Sequence, residues 1–175
     1  MTKNKALFLD RDGILNKALV DRGKPLSPRT IKDLKINFFL KKYLNKLRKT
    51  YLLIVISNQP DVAKNLVKKN IIERQNKILK KFFLINDFFV CYHQNKDKCK
   101  CRKPKIGLIK FAKKKYNINL SKSILIGDRW KDISAGNKAG CRSVYIDFGY
   151  KETRPKKFYK KFLNLKSAFN FLSNE

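Results

Sequence analysis

Asp10 and Asp12 stand one residue apart in FLDRDG, at the end of a short apolar run. Two carboxylates at this spacing can divide their labour. The first, where a strand ends, faces a substrate as nucleophile, and the second turns over it as general acid and then base. Carboxylate attack of this kind is known from aspartyl-phosphate enzymes. It requires the repulsion between two anions to be cancelled, which a Mg2+ ion does when it takes oxygen ligands from carboxylates and the substrate phosphate. Asp10 and Asp128 are the side chains that the sequence offers for that ion. Ser57 and Asn58 in ISNQ, with Lys103 in RKPK, supply a hydroxyl, an amide and an ammonium for the phosphoryl oxygens.

A second constellation lies in CYHQNKDKCKC, where Cys91, His93, Cys99 and Cys101 form C-x-H-x5-C-x-C. The chain has 4 Cys and 1 His, and only Cys141 falls outside this window. Four soft or borderline ligands so close together match a Cys3His structural zinc site, closed and without catalytic role. A disulfide is disfavoured by the Cys-x-Cys spacing and by a reducing compartment. Cys141, in AGCRSV, reads as a small core residue. The zinc loop would hold Arg102 and Lys103, which follow its last cysteine directly, at the site.

These residues need elements to carry them. Apolar runs at 5–10, 51–57, 88–93, 123–128 and 142–147 read as buried strands, and amphipathic patterns near 37–49, 67–84, 105–116, 132–140 and 164–173 read as helices. Continuous apolar strands alternating with helices predict an α/β, Rossmann-like parallel sheet with helices on both faces. Ligands of such sheets bind beyond the carboxyl ends of the strands. DRDG, SNQ and GDRWKD follow the first, second and fourth predicted strands. Asp10, Asp12, Ser57, Asn58, Asp128 and Asp132 therefore meet on one rim if those strands are neighbours. No Gly/Pro/Ser-rich linker divides the chain, so one domain, 1–175, is expected. No stretch is left for a large cap, so the site should be fairly open.

The 43 Lys and Arg against 13 Asp and Glu, net +30, invite a nucleic-acid reading. The lysines are spread along the whole chain among Asn, Ile and Phe, as an AT-rich genome would impose, and compositional drift is preferred. The charge should still gather anionic ligands. No apolar run approaches the roughly 20 residues of a membrane span, and the N-terminal residues lack the regions of a signal peptide. A cytoplasmic monomer acting on a small phosphorylated metabolite is expected. The basic segment 151–175 has no assigned role beyond a terminal helix.

FLDRDG, ISNQ, RKPK and IGDRWKD resemble, in order, the four motifs of the haloacid dehalogenase (HAD) superfamily of phosphatases. The resemblance spans roughly residues 5 to 150. It implies Asp10 as nucleophile, Asp12 as acid and base, and Mg2+ held by the side chains of Asp10 and Asp128 and the backbone carbonyl of Asp12. Ser57 and Lys103 would steady the phosphoryl group, and Asp132 would orient the metal shell or a lysine. CYHQNKDKCKCRKP further resembles the zinc loop of the D,D-heptose 1,7-bisphosphate and histidinol-phosphate phosphatases. That resemblance makes Arg102 and Arg129 substrate contacts. The chain reads SNQPDV where the heptose enzymes commonly read TNQSGI, and the short C-x-H-x5-C-x-C gap is also typical of the histidinol-phosphate branch. Heptose 1,7-bisphosphate is the preferred substrate, histidinol phosphate the alternative. A nucleic-acid end phosphatase or a zinc-stapled basic binding module ranks lower.

Overall fold

The computed structural model describes residues 3–175. Its centre is a sheet of six parallel strands in the order β5-β4-β1-β6-β7-β8. These are β1 (Ala6–Leu9), β4 (Leu52–Asn58), β5 (Asp87–Cys91), β6 (Ile124–Gly127), β7 (Arg142–Ile146) and β8 (Lys160–Phe162). Every residue of β1 and β6 is buried, as are the five central residues of β4. A strand covered on both faces needs apolar side chains at every position, and this is why these runs do not alternate.

Helices cover both faces. On one side α1 (Leu40–Leu47), α2 (Lys69–Phe83) and α5 (Leu165–Asn174) place Leu40, Leu44, Leu79, Phe83, Leu165 and Phe169 against Leu7, Leu9, Leu53 and Val55. On the other, α3 (Gly107–Tyr116) and α4 (Trp130–Ala139) place Leu108, Ile109, Ala112 and Ala135 against Ala6, Phe8, Ile54 and Ile56. Cys141 packs within this second cluster, as a small core residue should. Alternate side chains of β1 and β4 thus feed the two cores in turn. No helix among the described residues is long and apolar enough to cross a membrane.

The parallel sheet, the five longer strands and the five helices match the sequence reading, with ends shifted by up to three residues. Two features differ from it. Residues 19–26 form a hairpin, β2 (Leu19–Asp21) and β3 (Lys24–Leu26), placed over the rim. The segment read as a basic tail contributes β8, a three-residue edge strand paired with β7 and mostly exposed. Strands so short, with two lysines in one of them, leave no apolar pattern to read.

The register sets the site. Leu9, the end of β1, lies opposite Val55 on one side and Ile126 on the other; β6 runs one residue beyond that level and β4 three, and the loops after all three leave from the same edge of the sheet. The N–H of Asp10 still donates to Ile126 O at 3.0 Å, which keeps the first catalytic candidate on the sheet's edge.

The terminal helix is part of the core. Phe169 is fully buried, with its ring 6.1 Å from that of Tyr43 on α1. Phe169→Ala should cost about 3–5 kcal/mol, measured by urea unfolding. A loss below about 1 kcal/mol would mean that α5 is dispensable to the fold.

Candidate active site

Two glycines let the rim close. Gly13 has φ +92, and a Cβ there would lie 1.9 Å from Asp128 Oδ2. Only glycine allows both that backbone and that approach of the β1 loop to the end of β6. Gly127 ends β6, and its missing Cβ makes room for Asp132, whose Cβ would otherwise lie 2.4 Å away. Asp132 Oδ2 accepts from the N–H of Arg129 at 3.0 Å, closing the first turn of α4. Its other oxygen is turned inward.

That inward oxygen meets Lys103. The ammonium lies 2.6 Å from Asp132 Oδ1, and donates to Asp10 Oδ1 at 2.8 Å and to Ile56 O at 2.7 Å. Its three protons are used, and the side chain is 3% exposed. Carboxylate oxygens of Asp10, Asp128 and Asp132 lie within 4.8 Å of one another. Three buried carboxylates against one ammonium leave negative charge uncompensated. Burial and the charge of Asp132 push the Asp10 carboxyl up to about 7, against the pull of Lys103. Burial, with Asp10 and Asp132 beside it, also pushes Asp128 up. Asp128 Oδ1 is buried with no hydrogen-bond partner among the described residues. An oxygen cluster short of positive charge, with one acceptor unused, fits a hard divalent cation.

Asp12 sits differently. Its Oδ1 accepts from Arg11 Nε and Asn16 Nδ2, both at 3.0 Å. Its Oδ2 accepts from Arg11 Nη2 at 3.0 Å, Ser27 Oγ at 2.8 Å and Gln59 Nε2 at 2.7 Å. Burial alone would raise this carboxyl, but the Arg11 charge and these donors outweigh it and hold the pKa below the usual carboxylate value. Asp10 and Asp12 are therefore neighbours with opposite electrostatic settings.

Cys91, His93, Cys99 and Cys101 converge as a second cluster. Their sulfurs lie 3.7, 3.6 and 3.2 Å apart, with His93 Nδ1 3.5 and 3.4 Å from Cys91 and Cys101. A tetrahedron of metal–sulfur bonds of about 2.3 Å has edges of about 3.8 Å. The four ligands fit a single metal ion of that size.

Residues 100–161 match the HAD-hydrolase-like family. The D-glycero-alpha-D-manno-heptose-1,7-bisphosphate 7-phosphatase of Campylobacter jejuni is 31% identical to this chain, over 99% of it and 98% of the relative. The chain belongs to this HAD phosphatase family. The beta-anomer 7-phosphatase of Helicobacter pylori is 37% identical over 79% of this chain and 80% of its own. In fold, the chain resembles the D,D-heptose 1,7-bisphosphate phosphatase of B. bronchiseptica, a structure described as complexed with magnesium and phosphate. The TM-score is 0.79 at 19% identity, over 97% of this chain and 98% of that one.

In this member of the HAD phosphatase family, Asn58, Arg102 and Arg129 line a cavity of about 260 Å³ beside Asp10, and Ser57 lies behind its lining. Ser57 is buried at the end of β4, where its Oγ accepts from Gln59 Nε2 at 2.8 Å. Asn58 is committed to the Lys103 peptide: its Nδ2 donates to Lys103 O and its Oδ1 accepts from Lys103 N, both at 3.0 Å. The amide expected to grip phosphoryl oxygens thus holds the lysine loop. Arg102 donates to Asn95 Oδ1 at 2.8 Å and to His93 O at 3.2 Å, so the Cys/His loop fixes its direction. Arg129 makes a bidentate pair with Glu152, at 3.0 Å from Nε and 2.5 Å from Nη2.

Several residues of the site were not singled out by sequence. Arg11 is fully buried and also donates to Gln75 Oε1 at 3.1 Å and Asn76 Oδ1 at 3.2 Å on α2. Gln75 in turn donates to Thr30 O at 2.9 Å, and Ser27 comes from the exit of the hairpin. Gln75 and Asn76 carried a signal, as polar residues on the helix stripe of Ile72, Leu79 and Phe83. Tyr150 and Glu152 lie in a loop without periodicity and carried none.

Arg11→Met strips the charge partner from a buried carboxylate and should cost about 3–5 kcal/mol at neutral pH. In the wild type the depressed Asp12 pKa adds stability that is complete above the ordinary carboxylate value and is lost as pH falls through the lower folded-state value. In the variant, protonation relieves the unpaired charge. Burial without Arg11 raises the variant's Asp12, so the stability gap should narrow as pH falls from above the ordinary carboxylate value toward the depressed wild-type one, and a gap constant from pH 7 to 3 would contradict this account.

Proposed function

We propose that the chain is a Mg2+-dependent phosphomonoesterase that removes the 7-phosphate of D-glycero-D-manno-heptose 1,7-bisphosphate through an aspartyl-phosphate on Asp10. The carrying observation is the meeting of Asp10, Lys103, Asp128 and Asp132 at adjacent strand ends, with one buried Asp128 oxygen unpartnered. The heptose assignment is supported by relatives of that name that align over most of both chains.

Mg2+ would be held by Asp10 and Asp128 with the backbone carbonyl of Asp12, and when bound it supplies the positive charge that lets one anion approach another. Asp10 attacks phosphorus, the bond to the sugar oxygen breaks, and that oxygen takes a proton from Asp12. Asp12 then accepts a proton from water as the water attacks the Asp10 phosphoryl, which releases phosphate, restores the Asp10 carboxylate and returns Asp12 to the protonated form in which it began. The ionised, five-donor state of Asp12 suits this second half, so a proton must arrive with substrate for the first. Lys103 exchanges one of its carboxylate contacts for a phosphoryl oxygen, and Ser57 Oγ lends a second donor. Arg102 and Arg129 face the rest of the substrate from the cavity wall. The Cys/His cluster takes one structural Zn2+, which ties the strand β5 to the loop that carries Arg102 and Lys103.

Phosphate release from the heptose bisphosphate should exceed that from histidinol phosphate and disappear in EDTA. Asp10→Asn should lower it by about 10⁴-fold or more with the fold intact. A variant that turns over normally would end the mechanism, whereas a preference for histidinol phosphate would move only the substrate.

Metal analysis of the purified protein should find one zinc per chain. Cys99→Ser should lose it together with at least about 2 kcal/mol of stability, roughly 4–8 °C in Tm. Zinc-free protein with an unchanged Tm would remove the structural role.

A further inference from the structure

The two oxygens of Asp128 have different surroundings. Oδ2 lies against the Cα side of Gly13 and accepts from the Tyr150 hydroxyl at 3.0 Å. Oδ1 is buried and has no hydrogen-bond partner among the described residues, and Asp128 shares a carboxylate cluster with Asp10 and Asp132. A carboxylate held at one oxygen only by the absence of a Cβ would still turn about its last torsion angle. A hydroxyl on that oxygen stops the rotation and leaves the other oxygen open to a ligand.

Tyr150 is itself held in place. Gly149 turns the chain with φ +73, and its N–H donates to Asp147 Oδ1 at 3.0 Å. Two residues on, the N–H of Lys151 donates to Gly23 O in the hairpin turn at 2.8 Å. Glu152 then pairs with Arg129, the residue following Asp128 in sequence. The ring of Tyr150 packs 5.8 Å from Phe148. Tyr150, Lys151 and Glu152 therefore dock on three parts of the rim, and Tyr150 need not contact substrate to matter. Packing alone would be served equally by phenylalanine, yet the hydroxyl ends on a buried carboxylate.

We propose that Tyr150 is a positioning residue for the divalent cation: its hydroxyl fixes Asp128 Oδ2 so that Oδ1 is presented to the ion. The proposal rests on the reading of the Asp10–Asp128 end as a cation site. Hydrogen bonds to ligating carboxylates typically govern metal affinity by 10- to 100-fold, in order of magnitude about tenfold for a single neutral donor.

The test is Tyr150→Phe, which keeps the ring and removes one oxygen. Mg2+ binding to the zinc-loaded, substrate-free protein would be measured by calorimetry, with Mn2+ followed by its paramagnetic resonance as a second probe. Asp128→Asn is the reference for loss of the site. The expected result is a Kd for both ions raised by about tenfold, a Tm in EDTA within about 2 °C of wild type, and a kcat that recovers at saturating Mg2+. Tyr150→Leu should show the same Kd change or a larger one. An unchanged Kd in Tyr150→Phe beside a wild type that binds normally overturns this proposal alone. A wild type that takes up neither ion overturns it together with the reading of the site. A Tm that falls as far as the affinity would predict, with kcat unrecoverable by Mg2+, makes the hydroxyl structural and also overturns it.

Discussion

The rim is organised around one buried ammonium. Lys103 lies between Asp10 and Asp132 with a backbone carbonyl as its third acceptor, in a place where an unpaired charge could not stay. Each neighbour exists in relation to it. Asn58 staples its peptide, the Cys/His cluster ends one residue before the segment that bears it, and Gly127 gives Asp132 the room to reach it. The lysine brings strands β1 and β4 and helix α4 to one point without any of them leaving the regular geometry of the sheet. Its charge is nonetheless too small for the three carboxylates around it, and this deficit, more than any single ligand, marks the place for a cation.

The same rim keeps two aspartates of one loop in contrary states. Asp10 faces carboxylates and is pushed toward its neutral form, whereas Asp12 faces a guanidinium and three neutral donors and is held ionised. A pair of titratable groups whose surroundings push them apart is the usual mark of divided acid–base labour. Adding two positive charges beside Asp10 would favour its carboxylate, and bringing a phosphate dianion beside Asp12 would favour its acid. Cation and substrate thus move each group toward the form its proposed role needs, and they do so by charge alone, with no rearrangement of the sheet.

Much of this was legible in the sequence because it rests on local pattern. Strands β1, β4 and β6 are unbroken apolar runs ending in polar clusters, and the rule that parallel sheets bind ligands at their carboxyl ends put those clusters together before their order was known. C-x-H-x5-C-x-C needed no tertiary information either. What was not legible depends on residues that meet only in space. Arg11 looks like a solvated arginine between two acids, and its complete burial follows from Gln75 and Asn76 some 64 and 65 positions away. The hairpin at 19–26 and the strand at 160–162 are too short for periodicity to declare them. Tyr150 and Glu152 act from a loop after β7, where neither spacing nor hydropathy distinguishes a residue of the site from one on the surface.

The net charge of +30 can be placed in this picture. Around the cavity, Arg102, Arg129 and Lys131 stand close enough that burial and the two arginine charges lower the Lys131 ammonium below its usual value. One carboxylate, Glu152, is paired with these three cations, and it is committed to Arg129. The outer wall is therefore short of negative charge while the floor, with Asp10, Asp128 and Asp132, is short of positive charge. A phosphate ester entering with a divalent cation would correct both at once: its anionic oxygens meet the wall and the ion meets the floor. Either partner alone would leave one imbalance standing. Lysines scattered over the rest of the surface add a long-range attraction for anions that salt screens beyond about 8–10 Å, whereas the charges of wall and floor act at contact distance.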